Sequence, residues 1–136
     1  MTSETRPHVL SGLVVLVIED DPVLRRNLVQ WFDQIGCKAA AAQDGVEGLA
    51  LFRRLQPQAV ITDLIMPNRE GIETLMTIKK EAPGVKILAI SGGGRIGPDD
   101  LLRTAWGLGA DAVLAKPFRS SEVVNAVARL LQTYDA

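Results

Sequence analysis

The stretch LVVLVIEDDP, residues 13–22, decides the fold because it joins an apolar run, an acidic group and the start of a helix. Its opening apolar residues predict a buried strand, and Glu19 and Asp20 follow that strand directly. Asp21 can cap the free N–H groups of a helix, and Pro22 suits the first helical position. A strand that passes straight into a helix predicts an α/β domain.

Apolar runs and amphipathic segments alternate along the rest of the chain. The predicted strands are residues 13–18, 37–41, 59–62, 86–90 and 112–115. The second strand is assigned from its place between two helical patterns, since its alanines favour helix by propensity. The helices are expected to start at Pro22, after Asp44, near Ile72, at Pro98 and at Ser120 or Ser121. The residues expected to mark their apolar faces are Leu24, Leu28, Trp31, Phe32, Ile35, Val46, Leu49, Ala50, Ile72, Leu75, Met76, Leu101, Leu102, Ala105, Leu108, Val123, Val127, Leu130 and Leu131.

This alternation predicts a parallel sheet covered by helices on both faces. With right-handed crossovers, we expect a doubly wound five-stranded sheet of order 2-1-3-4-5. The predicted organisation is a flexible N-terminal tail over residues 1–11, one domain over residues 12–133 and a C-terminal tail over residues 134–136.

Charged and polar residues follow four of the predicted strands. They are Glu19, Asp20, Asp63, Ser91 and Lys116. In a doubly wound sheet these strand ends meet at one edge, where ligands bind. Neighbouring carboxylates repel by about 4 kcal/mol per pair at an effective dielectric near 20, so such a cluster needs a cation or a proton. The pattern predicts a site for a hard divalent cation such as Mg²⁺ beside phosphoryl oxygens. Asp63 is then a candidate nucleophile toward phosphorus.

Each of these residues also has an ordinary structural interpretation. The acidic run after the first strand could form a helix cap, which is the preferred account of Asp21. Asp63 and Lys116 could be turn residues, and Ser91 precedes three glycines that are typical of a loop. Their agreement on a single sheet edge favours a shared site.

Composition narrows the function classes. Fifteen basic and sixteen acidic residues give a net charge of −1, which disfavours direct nucleic-acid binding. The lone cysteine, Cys37, excludes an intramolecular disulfide and is expected to be a buried thiol. No apolar run is long enough for a signal peptide or a membrane span, so a cytoplasmic protein is expected.

Four motifs resemble the receiver domains of two-component response regulators, the CheY-like family. They are VLVIEDDP, VITDLIMPNREG, LAIS followed by small residues, and GADAVLAKPF, and the resemblance covers roughly residues 13–131. It implies a flavodoxin-like fold and a stand-alone receiver that acts as a signalling switch. In place of turning over a substrate as an enzyme, such a switch assists its own phosphorylation and dephosphorylation.

The resemblance also assigns roles to individual residues. The implied Mg²⁺ ligands are Glu19, Asp20, Asp63 and the backbone carbonyl of Ile65. Asp63 is the implied phosphoacceptor, forming a 4-aspartylphosphate that Ser91 and Lys116 bond. The implied donor is a sensor histidine kinase or a histidine phosphotransfer protein. The implied output is a target protein bound through the face between the fourth and fifth helices. The bond before Pro117 is expected to be cis.

Two departures from the family pattern qualify the expected switch. Val113 stands where the family usually has an aromatic residue, so an aromatic rotamer switch is not expected. The segment GGGRIGPDD, residues 92–100, is rich in glycine, which suggests that loop ordering carries the signal. Trp106 is expected either on the output face or in the core. Alternative functions are a phosphorelay shuttle or phosphate sink, and a phosphorylation-independent interaction module.

Overall fold

The computed structural model describes residues 10–64, 70–92, 103 and 107–132. Its strands β1 to β5 are Val14–Ile18, Lys38–Ala42, Ala59–Asp63, Lys86–Ser91 and Ala112–Ala115. All pairings are parallel, and the sheet order is β2-β1-β3-β4-β5. The predicted doubly wound fold is therefore confirmed, with each strand within one residue of its expected bounds.

Four helices surround the sheet within the described ranges. They are α1 at Pro22–Gln34, α2 at Gly45–Leu55, α3 at Glu70–Glu81 and a C-terminal helix at Ser120–Gln132. The predicted caps are confirmed, since Asp21 accepts from the Val23 N–H and Asp44 from the Glu47 N–H. Most of the predicted fourth helix, with Trp106, lies outside the described residues. None of the described helices has the length and apolarity that crossing a lipid bilayer requires.

The core has two layers because neighbouring residues of a strand point to opposite faces. Val15 and Val17 face α1 and the C-terminal helix, where they pack with Phe32 and Val127. Leu16 and Ile18 face α2 and α3 in the second layer, whose fully buried members from the helices and the other strands include Val60, Leu75, Ile78 and Ile87. Helices on both sides leave the ends of the strands open for a site.

The predicted inward face of α2 is confirmed at Leu49, which packs against the second core layer, but it is wrong for Val46 and Ala50. Val46 is 77% exposed and Ala50 is also exposed, whereas Gly48 and Phe52 are buried. The physical reason is a close approach, because a Cβ built on Gly48 would lie 2.6 Å from the Cδ1 atom of Ile18. The helix therefore approaches β1 most closely at Gly48, with Phe52 and Leu49 packed in the same core layer.

Two further predictions about burial need correction. Met76, predicted on the apolar face of α3, is 51% exposed, because Leu75 and Ile78 already fill that face. The sequence predicts a loose tail over residues 1–11, but Leu10 within that range is fully buried. Its carbonyl accepts a 3.3 Å hydrogen bond from the thiol of Cys37. Burial confirms the expected environment of Cys37 and raises the pKa of its thiol.

Candidate functional site

The sheet register brings the predicted site residues to one edge. β1 and β3 pair Ile18 with Thr62, so the next residue of each chain segment, Glu19 and Asp63, lies at the same edge of the sheet. On the other side of β3, Asp63 pairs with Ile90, the residue before Ser91. The backbone N–H of Lys116 then donates a 2.7 Å hydrogen bond to the carbonyl of Ser91. The expected gathering at this edge is confirmed.

Three carboxylates form a tight cluster at this edge. One oxygen from each of Glu19, Asp20 and Asp63 lies within 4.8 Å of the others. Glu19 is fully buried and Asp63 is 3% exposed, whereas Asp20 is exposed to solvent. Like charges at this separation repel strongly in a partly dry environment, so the cluster needs a compensating cation.

Lys116 supplies part of that compensation. Its Nζ atom donates a 2.9 Å hydrogen bond to Asp63 Oδ2 and lies 3.1 Å from Glu19 Oε1. Burial alone would lower the pKa of Lys116, but the hydrogen bond to Asp63 and the attraction to Asp63 and Glu19 outweigh burial and raise this pKa above its usual value. The ammonium therefore stays charged and is held between the two buried carboxylates.

The two oxygens of Glu19 have different surroundings. Oε2 accepts a 3.1 Å hydrogen bond from the N–H of Asp21. Oε1 is buried and, within the described part of the chain, lies beside the Lys116 ammonium without hydrogen-bond geometry. Burial, with a contribution from the charge of Asp63, raises the pKa of Glu19 from 4.5 to about 6. The ammonium offsets part of the cost of burying this charged oxygen, and a bound metal ion would offset more of it.

The donor set fits a hard divalent cation. Carboxylate oxygens are the ligands that Mg²⁺ prefers, and such ions usually keep several waters. Glu19, Asp20 and Asp63 could therefore hold a metal ion, with Glu19 Oε1 already lacking a hydrogen-bond donor. Ile65, the fourth implied ligand through its backbone carbonyl, lies outside the described residues.

The position of Ser91 and the peptide bond before Pro117 match what the sequence predicts. Ser91 is fully buried at the end of β4, and the Lys116–Pro117 peptide bond is cis as expected. Val113 is half-buried and packs on the core layer that contains Ala89. The glycine-rich segment lies outside the described residues from residue 93 onward, so the loop-ordering hypothesis stays a prediction.

Sequence reasoning missed one residue of the site. Arg25 of α1 donates a 2.9 Å hydrogen bond from its guanidinium to the carbonyl of Glu19 and a longer one, 3.4 Å, to the carbonyl of Asp20. The available signal was an arginine one and a half helical turns beyond the acidic pair. Because Arg25 binds backbone carbonyls and not a charged side chain, no pattern of opposite charges in the sequence identifies it.

Comparison with known proteins agrees with this geometry. The response regulator receiver domain family matches residues 15–128. The chemotaxis protein CheY of Halobacterium salinarum is 30% identical over 117 residues, which cover 86% of this chain and 95% of that protein. The Regulator of RpoS of Escherichia coli is 32% identical over 110 residues, covering 81% of this chain but 32% of that longer protein.

Solved structures show the same architecture. A CheY-like receiver domain protein from Methanospirillum hungatei superposes with a TM-score of 0.82 at 23% identity, covering 92% of this chain and 98% of that one. At 23% identity this likeness shows the fold, whereas the family match covers residues 15–128, which include the acidic edge. The chain belongs to the family of response regulator receiver domains.

Proposed function

We propose that this chain is a phosphorylation-dependent switch in which Asp63 accepts a phosphoryl group from the phosphohistidine of a partner kinase or phosphotransfer protein. The observation that carries the proposal is the position of Asp63 between the acidic cluster and Lys116. An isolated turn aspartate would have neither neighbour. A nearly buried carboxylate with a cation beside it is suited to phosphoryl transfer, which depends on position and electrostatics.

The proposed transfer is a single displacement at phosphorus. An oxygen of Asp63 forms the new O–P bond while the N–P bond of phosphohistidine breaks. The imidazole nitrogen leaves with the bonding electron pair and takes a proton from solvent. Mg²⁺ held by Glu19, Asp20 and Asp63 would neutralise charge on the phosphoryl oxygens when bound.

Lys116 and Ser91 complete the proposed site. The ammonium of Lys116 now bonds the oxygen of Asp63, so it is placed to follow the negative charge onto an attached phosphoryl group. Ser91 ends the strand next to β3, and its backbone is bonded to that of Lys116. Movement of these two residues toward phosphate would shift a pre-existing equilibrium of the domain. The face formed by the predicted fourth helix and the C-terminal helix would then bind a target protein.

The direct test is phosphorylation of Asp63→Asn. Wild-type protein incubated with acetyl phosphate and Mg²⁺ is expected to gain one phosphoryl group, detected by intact mass, and the variant is expected to gain none. Asp33→Asn, the same change at an exposed position on α1, is the matched control and should label normally. Labelling of Asp63→Asn at the wild-type rate would move the acceptor elsewhere and contradict the proposal.

A further inference from the structure

Arg25 holds the backbone of the acidic pair rather than its carboxylates. The guanidinium contacts the carbonyls of Glu19 and Asp20, at the point where β1 has ended and α1 has not begun. The Glu19 N–H is already bonded to the carbonyl of Ala42, at 3.0 Å. The turn after β1 is therefore held in two ways. The N–H of Glu19 bonds to the sheet, and the carbonyls of Glu19 and Asp20 bond to Arg25.

The peptide unit between Asp20 and Asp21 is held from both ends. Its carbonyl accepts from Arg25, and its N–H donates to Glu19 Oε2 at 3.1 Å. A rotation of this peptide would break both contacts together. The orientation of the Glu19 carboxylate is thus linked to Arg25 through one rigid, planar group.

We propose that Arg25 is a positioning residue that sets the cation affinity of the site by fixing the direction of Glu19 Oε1. With Oε2 bonded to the Asp21 N–H, Oε1 is the oxygen left to face Lys116 and a metal ion. This inference rests on the proposed function, because it concerns the metal site that the phosphoryl transfer would use. Groups that orient metal ligands in this way commonly change metal affinity by about 10-fold to 100-fold when removed.

Charge and positioning predict opposite results for the loss of Arg25. A guanidinium near a cation site repels the cation, so simple electrostatics predicts tighter Mg²⁺ binding once the positive charge is removed. Positioning predicts weaker binding, because the turn and the Glu19 carboxylate lose their fixed orientation. The sign of the change in affinity therefore separates the two roles.

Arg26 provides a matched control at the next position of α1. It is exposed and, within the described residues, makes no hydrogen bond or ion pair that resembles those of Arg25. Arg26→Met removes the same charge from the same helix without touching the acidic turn. Solvent and salt screen such an exposed charge, so its loss should change Mg²⁺ affinity by less than about twofold.

The test is Mg²⁺ binding to the full, unphosphorylated chain, measured by isothermal titration calorimetry. Arg25→Met is expected to bind Mg²⁺ about tenfold more weakly than wild type. Arg25→Lys keeps the charge and one donor, so an intermediate affinity is expected. This second variant also keeps the test decisive if Arg25→Met does not fold, which circular dichroism would show.

Three results would overturn the inference. Equal or tighter Mg²⁺ binding by a folded Arg25→Met variant would show that Arg25 acts through charge or not at all, and, if that variant does not fold, wild-type affinity in Arg25→Lys would contradict a positioning role for the guanidinium. An equal loss of affinity in Arg26→Met would assign the effect to net charge. Failure of wild-type protein to bind Mg²⁺ would overturn the metal site as well, whereas the first two results leave the proposed function intact.

Discussion

Lys116 Nζ lies 2.9 Å from Asp63 Oδ2, although the two residues are 53 positions apart in the chain. β4 brings them together, because it pairs with the strand of Asp63 on one side and with the strand before Lys116 on the other. The same ammonium lies 3.1 Å from Glu19, so one cation is shared by two buried carboxylates. This shared charge makes the site sensitive to substitution at any of the three residues.

Removal of the ammonium should strengthen metal binding. Lys116→Met is expected to raise Mg²⁺ affinity at least about tenfold, because a unit charge about 4 Å away repels a cation by several kcal/mol at an effective dielectric of 20. Calorimetric titration of the unphosphorylated protein would measure it. Lys80→Met, at an exposed lysine of α3, is the control and should leave the affinity unchanged. Unaltered binding by Lys116→Met would show that the ammonium does not compete with the metal.

The buried Glu19 should make the metal-free protein less stable as pH rises. Because the folded-state pKa is raised from 4.5 to about 6, the folded protein binds the proton more tightly than the unfolded chain does. The resulting stability is fully present below pH 4.5 and is lost as pH rises to about 6, a change of about 2 kcal/mol. Urea unfolding in EDTA across this range would measure it. Glu19→Gln should lose this component, and an identical pH profile in that variant would contradict the assignment.

The close contact of α2 on β1 should not tolerate a methyl group. Gly48→Ala would place Cβ 2.6 Å from Cδ1 and 2.9 Å from Cγ1 of the fully buried Ile18, so a loss of about 1–3 kcal/mol is expected. Chemical denaturation would measure it. Ile18→Val removes the nearest atom and should recover part of the loss in the double variant. Gly84→Ala, where a Cβ meets nothing within 4 Å, is the control. A neutral Gly48→Ala would show that the helix can move away at little cost.

The Lys79–Asp111 pair should stabilise the fold more than the exposed Arg53–Glu81 pair. Asp111 Oδ2 accepts 2.8 Å hydrogen bonds from Lys79 Nζ and from the Ile87 N–H. Asp111→Ala would leave both donors without this acceptor, so a loss of about 2–3 kcal/mol is expected. Arg53→Met removes a surface pair and should cost at most about 1 kcal/mol. Urea midpoints would rank the two variants, and equal losses would argue against a special role for Asp111.

Much of the fold could be predicted because its signals are local. Apolar runs located four of the five strands, the second strand followed from its place between two helical patterns, and Asp21 and Asp44 located two helix starts. The inward face of α2 could be predicted only in part, at Leu49, because a pattern of apolar residues favours Val46 whereas close packing selects Gly48. Burial of Leu10 depended on its contact with Cys37, which lies on the far side of α1 in sequence.

The site was predictable to the extent that parallel strands share an edge. The predicted strand order is by itself enough to bring Glu19, Asp63 and Lys116 together at one edge. Arg25 and the shared peptide of Asp20 were not predictable, since both depend on the path of a turn. Sequence patterns identify which side chains arrive at an edge, but the groups that orient them act through the backbone.

The sheet order also places the carboxylates and the lysine of the site on strands that differ in how firmly they are held. The acidic half projects from β1 and β3, which are flanked by strands on both sides, whereas the lysine follows β5, a four-residue strand at the border of the sheet. A peripheral strand held by a single neighbour can shift while interior strands keep their register. The carboxylates of the site are thus held in fixed positions by interior strands. Lys116, which follows a border strand, can move away from them without changing their arrangement.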